Sequence, residues 1–114
     1  MIRLTPLLLL LGAHVASGAT VTAYCPCVPC CGVKAKPADT GITSAGTRAK
    51  QGRTIAAPRS IPLGTKVKVE GLDGVYTVED RTARRFDGRW DLYFDNHKAA
   101  LRWGKQELKV TIIK

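Results

Sequence analysis

The chain has 114 residues, enough for one domain with a thin core and too few for two. Lys and Arg outnumber Asp and Glu by 18 to 9, a net charge of +9, which favours polyanionic partners: nucleic acid, anionic membrane or anionic wall polymer. No run of five or six like charges occurs, so the basic groups are spread over a folded surface and do not form a charged tail.

In chain order, residues 1–19 read as an export signal peptide. Met1-Ile2-Arg3 is a short positive start, Leu7 to Leu11 is unbroken leucine, and Ser17-Gly18-Ala19 offers small residues where a signal peptidase cuts. The apolar run is far short of the about 20 residues that cross a bilayer, so no transmembrane span is expected. No Cys follows the run to carry a lipid. The mature domain is expected to cover residues 20–114 and to be secreted or periplasmic. Export removes nucleic acid from the partners and leaves membranes or wall polymers.

From Thr20 onward, short alternating β-type runs dominate. Thr20-Val21-Thr22-Ala23-Tyr24 reads as a strand, and residues 53–57 as another, ended by Pro58. Residues 66–70 alternate strictly, as a half-buried strand does. Gly71-Leu72-Asp73-Gly74 is a turn, and residues 75–79 are its hairpin partner. Residues 90–94 form a short aromatic strand, and residues 108–113 close the chain. One segment breaks the rhythm. Asn96 suits an N-cap, Ala99, Ala100, Leu101 and Trp103 fall at helical spacing, and Gly104 stops a helix of about two turns. The expected fold is all-β, a monomeric barrel with one short helix near the C-terminus, because a small open sheet would leave adhesive edges.

Most acidic residues are expected in solvent, Glu79 among them. Two stand apart. Asp80 follows the apolar strand 75–78, and Asp91 lies inside an aromatic run, flanked by Trp90 and Tyr93. A partly desolvated carboxyl has a raised pKa, which is what a general acid for glycosidic cleavage needs. The four cysteines fall in one heptapeptide, Cys25-Pro26-Cys27-Val28-Pro29-Cys30-Cys31. In an exported protein disulfides are the default. A metal site at Cys25, Cys27, Cys30 and Cys31 and a redox pair at Cys27 and Cys30 are the alternatives. His14 is in the leader and His97 in the helix, so neither is expected as a further ligand. Trp103 is expected in the core, whereas Tyr24, at a strand end beside the cysteines, offers an aromatic face for a sugar ring.

A set of motifs runs through the chain in a fixed order: Thr22-Ala23-Tyr24-Cys25-Pro26-Cys27 with Cys30-Cys31-Gly32, Gly41-Ile42-Thr43-Ser44-Ala45-Gly46, Gly52-Arg53-Thr54-Ile55-Ala56-Ala57-Pro58, Ile61-Pro62-Leu63-Gly64-Thr65, Tyr76-Thr77-Val78-Glu79-Asp80, Asp91-Leu92-Tyr93-Phe94 and Trp103-Gly104. From about Thr20 to its end the chain resembles the three-aspartate (3D) domain. That domain is the double-psi β-barrel core of a membrane-bound lytic transglycosylase and of small secreted cell-wall hydrolases. The resemblance implies a six-stranded double-psi barrel. It makes Asp91 similar to the catalytic acid/base and Asp80 similar to the aspartate that supports it. The implied substrate is peptidoglycan, cleaved at the β-1,4 bond between N-acetylmuramic acid and N-acetylglucosamine, without a cofactor. Tyr24, Thr22 and Thr43 would bind or orient the glycan. Two departures stand out. The third family aspartate would precede Pro58, where this chain has Ala57. The loop after Asp80 has lost the family's glycine pair and reads Arg81-Thr82-Ala83-Arg84-Arg85-Phe86-Asp87-Gly88, from which Asp87 is a candidate replacement carboxylate and substrate contact. These departures make a non-catalytic, expansin-like wall-binding or wall-loosening module the alternative.

Overall fold

The computed structural model describes residues 15–26, 41–86 and 88–113. In chain order these form β1 (Val15–Tyr24), β2 (Thr54–Ala57), β3 (Lys66–Val69), β4 (Tyr76–Arg81), a 3-10 turn (Arg84–Phe86), β5 (Trp90–Tyr93), α1 (His97–Trp103) and β6 (Gln106–Ile113). The strands close into a barrel in the order β1-β5-β2-β4-β3-β6, as expected of an all-β chain too small to leave edges open. The pairs β1–β5 and β2–β4 are parallel and the other four are antiparallel.

Period-two alternation sorts the side chains. Val21, Ile55, Val67, Val78 and Val110, from five different strands, are fully buried inside the barrel, joined by Trp90 and Leu92 of β5. β3 shows the pattern plainly, with Lys66 and Lys68 outward and Val67 and Val69 inward. Its hairpin with β4 turns through Gly71 and Gly74, both at positive φ, where a glycine is least strained.

Strand ends depart from the sequence reading by two residues or more at β1, β4 and β6, the last beginning at Gln106 and not at Leu108. β1 begins at Val15, inside the expected leader, and pairs there with β6. β4 runs on to Arg81, past the expected end at Glu79, and contains an irregularity. Ile55 of β2 is opposite Val78, yet the next residue, Ala56, is opposite Asp80. One residue of β4, Glu79, is therefore extra, as in a β-bulge.

The helix forms as its caps dictate. The Asn96 side chain accepts a hydrogen bond from the Ala99 N–H at 3.0 Å, and Gly104 ends the helix at φ 66. Ala100 and Trp103, three residues apart, face the barrel. The Trp103 ring packs on Phe94, and its indole N–H donates to the Val21 carbonyl at 3.1 Å. Leu101, expected to help form the apolar face, is 67% exposed, because it lies about 100° round the helix from Ala100. Asn96→Ala is expected to destabilise the protein by about 1 kcal/mol, lowering the midpoint of thermal unfolding by about 4–8 °C, read by circular dichroism.

Candidate active site

On β5, Trp90 and Leu92 point into the core, so alternation turns Asp91 and Tyr93 to the opposite face. Trp90 therefore does not flank the Asp91 carboxyl as the sequence suggested; Tyr93 shares its face. The register sets the neighbours. Thr22 of β1 is opposite Asp91, Tyr24 is opposite Tyr93, and on the other side Ala56 of β2 is opposite Asp91. Ala56 is in turn opposite Asp80 of β4. Thr22, Tyr24, Asp91, Ala56 and Asp80 are thus drawn from four adjacent strands onto one outer face, with the smallest side chain between the two carboxylates.

The two aspartates are treated differently. The Thr22 hydroxyl donates to Asp91 Oδ1 at 3.0 Å. Burial pushes the Asp91 carboxyl up to about 6; the Thr22 bond opposes this, the nearby Asp80 charge adds to it, and Arg89 opposes it. Asp80 collects four donors: the Tyr24 hydroxyl on Oδ2 at 3.0 Å, and the Ser44 N–H, the Ser44 hydroxyl and the Arg81 N–H on Oδ1 at 3.1, 2.8 and 3.0 Å. Burial, and after it the Asp80 charge, pushes the Tyr24 hydroxyl far above its ordinary value. Tyr24 therefore keeps its proton and remains a donor to Asp80. Its ring stands edge-on to Tyr93, with centroids 5.3 Å apart.

A loop over residues 41–49 brings in Ser44. It is pinned to β4 by the Ala45 N–H on the Glu79 carbonyl at 2.9 Å. Thr43, a candidate glycan contact by resemblance, is 5% exposed and shares its hydroxyl with Thr47 at 2.7 Å. In this position it holds the loop closed, while Ser44 reaches the carboxylate. Ser44 was not singled out in the sequence, because a loop serine carries no local sign of its partner. Glu79 also differs from expectation. It is buried, and its Oε1 accepts from the Thr54 hydroxyl at 2.6 Å and the Arg53 guanidinium at 3.2 Å. The Arg53 and Thr54 donors offset what burial of that charge costs. Ala57, at the third aspartate position, is fully buried in the core.

The comparisons with known proteins agree with this architecture. A family model described as the 3D domain matches residues 53–114. The chain belongs to the 3D domain family. A relative in Bacillus subtilis (strain 168), YabE, whose name describes cell wall shaping, is 35% identical over 78 residues, which are 64% of this chain and 19% of that protein. The crystal structure of MltA from E. coli superposes with a TM-score of 0.53 at 20% identity, over 63% of this chain and 27% of that one. The chain thus spans about a fifth to a quarter of the length of these two proteins, and the MltA likeness speaks for the double-psi barrel fold alone.

Within this 3D domain the structure adds a contact the sequence did not suggest. Asn96 starts α1 so that His97 stands over the end of β1, with its Nδ1 3.2 Å from the sulfur of buried Cys25. Cys27, Cys30 and Cys31, read as disulfide or metal candidates, lie outside the described residues, as do Asp87 and His14. Among the described residues no group of three or more His, Cys, Asp or Glu side chains is arranged to hold a metal ion.

The raised Asp91 pKa ties the site to stability. A carboxyl whose pKa is higher folded than unfolded binds its proton more tightly in the native state. Its stabilising contribution is full below about pH 4 and is lost as pH rises through about 6, by about 3 kcal/mol in all. Asp91→Asn cannot ionise and retains an oxygen for the Thr22 hydroxyl. It is expected to match the parent near pH 3.5 and to exceed it at pH 8 by about 2–3 kcal/mol in urea unfolding. Equal stabilities at pH 8 would mean that Asp91 ionises without penalty.

Proposed function

We propose that this 3D domain is a peptidoglycan-cleaving enzyme, a lytic transglycosylase or glycan hydrolase, with Asp91 as its acid/base. The observation that carries the reading is Asp91 itself. It is held by Thr22, raised by burial to about 6, and set on one face with Tyr24 and Asp80. A carboxyl of that kind is half-protonated in mildly acidic surroundings and ready to act as a general acid. Membership of the 3D family and the wall-related name of a relative support peptidoglycan as the substrate.

In the reaction, protonated Asp91 donates to the oxygen of the β-1,4 bond between N-acetylmuramic acid and N-acetylglucosamine. The C1–O4 bond breaks and the N-acetylglucosamine end leaves as an alcohol. The Asp91 carboxylate then takes the proton of the muramic C6 hydroxyl, whose oxygen closes on C1 as a 1,6-anhydro ring. No water is consumed, and Asp91 ends protonated as it began. Attack by water in place of the C6 hydroxyl gives the hydrolysed product from the same carboxyl. Asp80, its charge held by four donors, stabilises the positive sugar ring of the transition state. Tyr24 and Thr22 fix the two carboxylates and border the sugar. Thr43 acts through the loop that carries Ser44. No cofactor takes part, and Cys25, Cys27, Cys30 and Cys31 serve as structural disulfides or as a metal element.

Export fits the same reading. Cleavage after Ala19 would remove the β1–β6 pairs at Val15, Ala16 and Ala19, yet all four β1–β5 pairs, Val21 through Tyr24, lie beyond it. The site face would therefore survive in a secreted or periplasmic monomer acting on glycan strands and meeting anionic wall polymers through a net charge of +8, with 17 Lys and Arg left against 9 Asp and Glu once Arg3 leaves with the leader. Among the described residues no helix is long and apolar enough to cross a membrane. One observation favours a second reading, a wall-binding or wall-loosening module without turnover. Ala57 is an apolar core residue where the family has its third aspartate, so the chain lacks that carboxylate.

Mass spectrometry of sacculi digested with purified protein separates the two. Anhydro-muropeptides or reducing-end muropeptides are expected from wild type, and Asp91→Asn is expected to lower their rate by about 10²–10⁴-fold. Intact glycan that co-sediments with unmodified wild-type protein would replace the enzyme with the binder. Because the acid must carry its proton, kcat/KM is expected to be flat below about pH 6 and to fall about tenfold per unit above it. A rate that rises through pH 7 would remove Asp91 from the role of acid.

A further inference from the structure

The turn between β4 and β5 gathers cations beside the acid. Phe86 is partly exposed, and the guanidinium carbons of Arg85 and Arg89 lie 4.9 and 4.6 Å from the centre of its ring. The two charges are thus held closer than the Debye length of about 10 Å at 0.1 M salt, where each feels the other. The arrangement is fixed by the backbone: the Phe86 N–H donates to the Ala83 carbonyl, the Arg89 N–H donates to the Phe86 carbonyl at 3.1 Å, and Gly88 turns the chain at φ 104. Among the described residues the one ion pair is Arg53–Glu79, and Arg89 acts on the Asp91 carboxyl through its charge without forming a close ion pair. Arg89 is the residue immediately before β5, two positions from Asp91, and its charge acts on the Asp91 carboxyl.

Two planar forks stacked on one aromatic ring, just before the strand that carries the acid, suit a planar anion. We propose that Arg85 and Arg89, clamped on Phe86, form a subsite for a carboxylate carried by the glycan whose bond lies at Asp91. The inference rests on the wall-glycan reading above and deepens it. In peptidoglycan the muramic sugars bear a lactyl group whose carboxyl is either free or extended by a peptide with its own carboxylates, so an anion recurs beside every scissile bond. A neutral N-acetylglucosamine polymer of the same backbone has none, and the cluster discriminates between them.

The test is a co-sedimentation assay on an Asp91→Asn background, which leaves the polymer intact. Three sacculus preparations are compared: native, with carboxylates amidated, and with phosphate polymers stripped by hydrofluoric acid. The parent is expected to bind native and stripped sacculi alike and amidated sacculi about tenfold more weakly, the loss expected for one charge-assisted hydrogen-bonded pair. Adding Arg85→Gln and Arg89→Gln is expected to bring native binding down to the amidated level and to leave amidated binding within about twofold. Lys68→Gln with Lys109→Gln, exposed positions on β3 and β6 across the barrel, removes the same charge and is expected to keep the preference. Thermal unfolding shows that each variant is folded, and Arg85→Lys with Arg89→Lys keeps the charge without the fork and is expected to fall between. Equal binding of native and amidated walls by the parent, or a preference that survives the double Gln change, overturns the subsite and leaves the wall reading standing. A preference lost on phosphate stripping makes the anion a phosphate polymer and overturns the carboxylate assignment. Absence of sedimentation with any preparation overturns both. Turnover plays no part, so a protein without activity that still prefers native walls supports the subsite alone.

Discussion

By strict alternation Val78 and Asp80 would face the same way, into the core. The extra residue in β4 breaks that rule. Ile55 is opposite Val78, Ala56 is opposite Asp80, and Glu79 is taken up between them. From Asp80 onward the strand is a half-step out of phase, and a carboxylate that would have been buried among valines comes out on the face that carries Asp91. Glu79, the displaced residue, is turned into a buried position, and Arg53 and Thr54 are placed to receive it. Without those two donors the bulge would strand a charge in the barrel wall, at a cost of several kcal/mol. The pairing of β2 with β4 therefore decides whether this face has one carboxylate or two.

Given that face, the division between the aspartates follows from their neighbours. Asp91 lies opposite Thr22 on one side and Ala56 on the other, so its register partners offer it one hydroxyl and a methyl group. Burial then dominates and favours the protonated form. Asp80 lies where the loop over residues 41–49 crosses β4, and it receives donors from that loop, from β1 and from its own strand. Two identical side chains, separated by one alanine, are thus given different surroundings, one half-dry with a raised pKa and one ringed by donors. This is the pairing of environments that acid chemistry on a glycosidic bond requires.

Much of this was legible in the sequence, and the part that was not has a physical reason. The strand runs, the hairpin turn at Gly71 and Gly74, and the capped helix are local patterns, and local patterns are written in consecutive residues. Asp91 stood out because its neighbours are aromatic, although it is Tyr93 and not Trp90 that shares its face, a distinction that only the period-two alternation makes. The β-bulge was invisible, because Tyr76-Thr77-Val78-Glu79-Asp80 reads as ordinary alternating strand and the shift shows only against β2. For the same reason Glu79 read as a solvent residue. Ser44 and His97 were missed because their partners, Asp80 and Cys25, are 36 and 72 residues away. Nothing near a serine in a glycine-rich loop announces a carboxylate that distant.

The arginine-rich turn adds a tension to the same face. Burial and the Asp80 charge favour the proton on Asp91, while Arg89 pulls the other way. A cation two residues before a general acid lowers its pKa and so leaves less of it protonated. On the reading proposed here, the cost is confined to the empty site. An anion arriving on the glycan neutralises Arg89, and Asp91 then feels burial and Asp80 with little opposition, so the acid is most fully protonated when a strand is in place. The arginines that replace the family's glycine-bearing loop shift the balance of this face toward positive charge, and a substrate that carries its own carboxylates restores it.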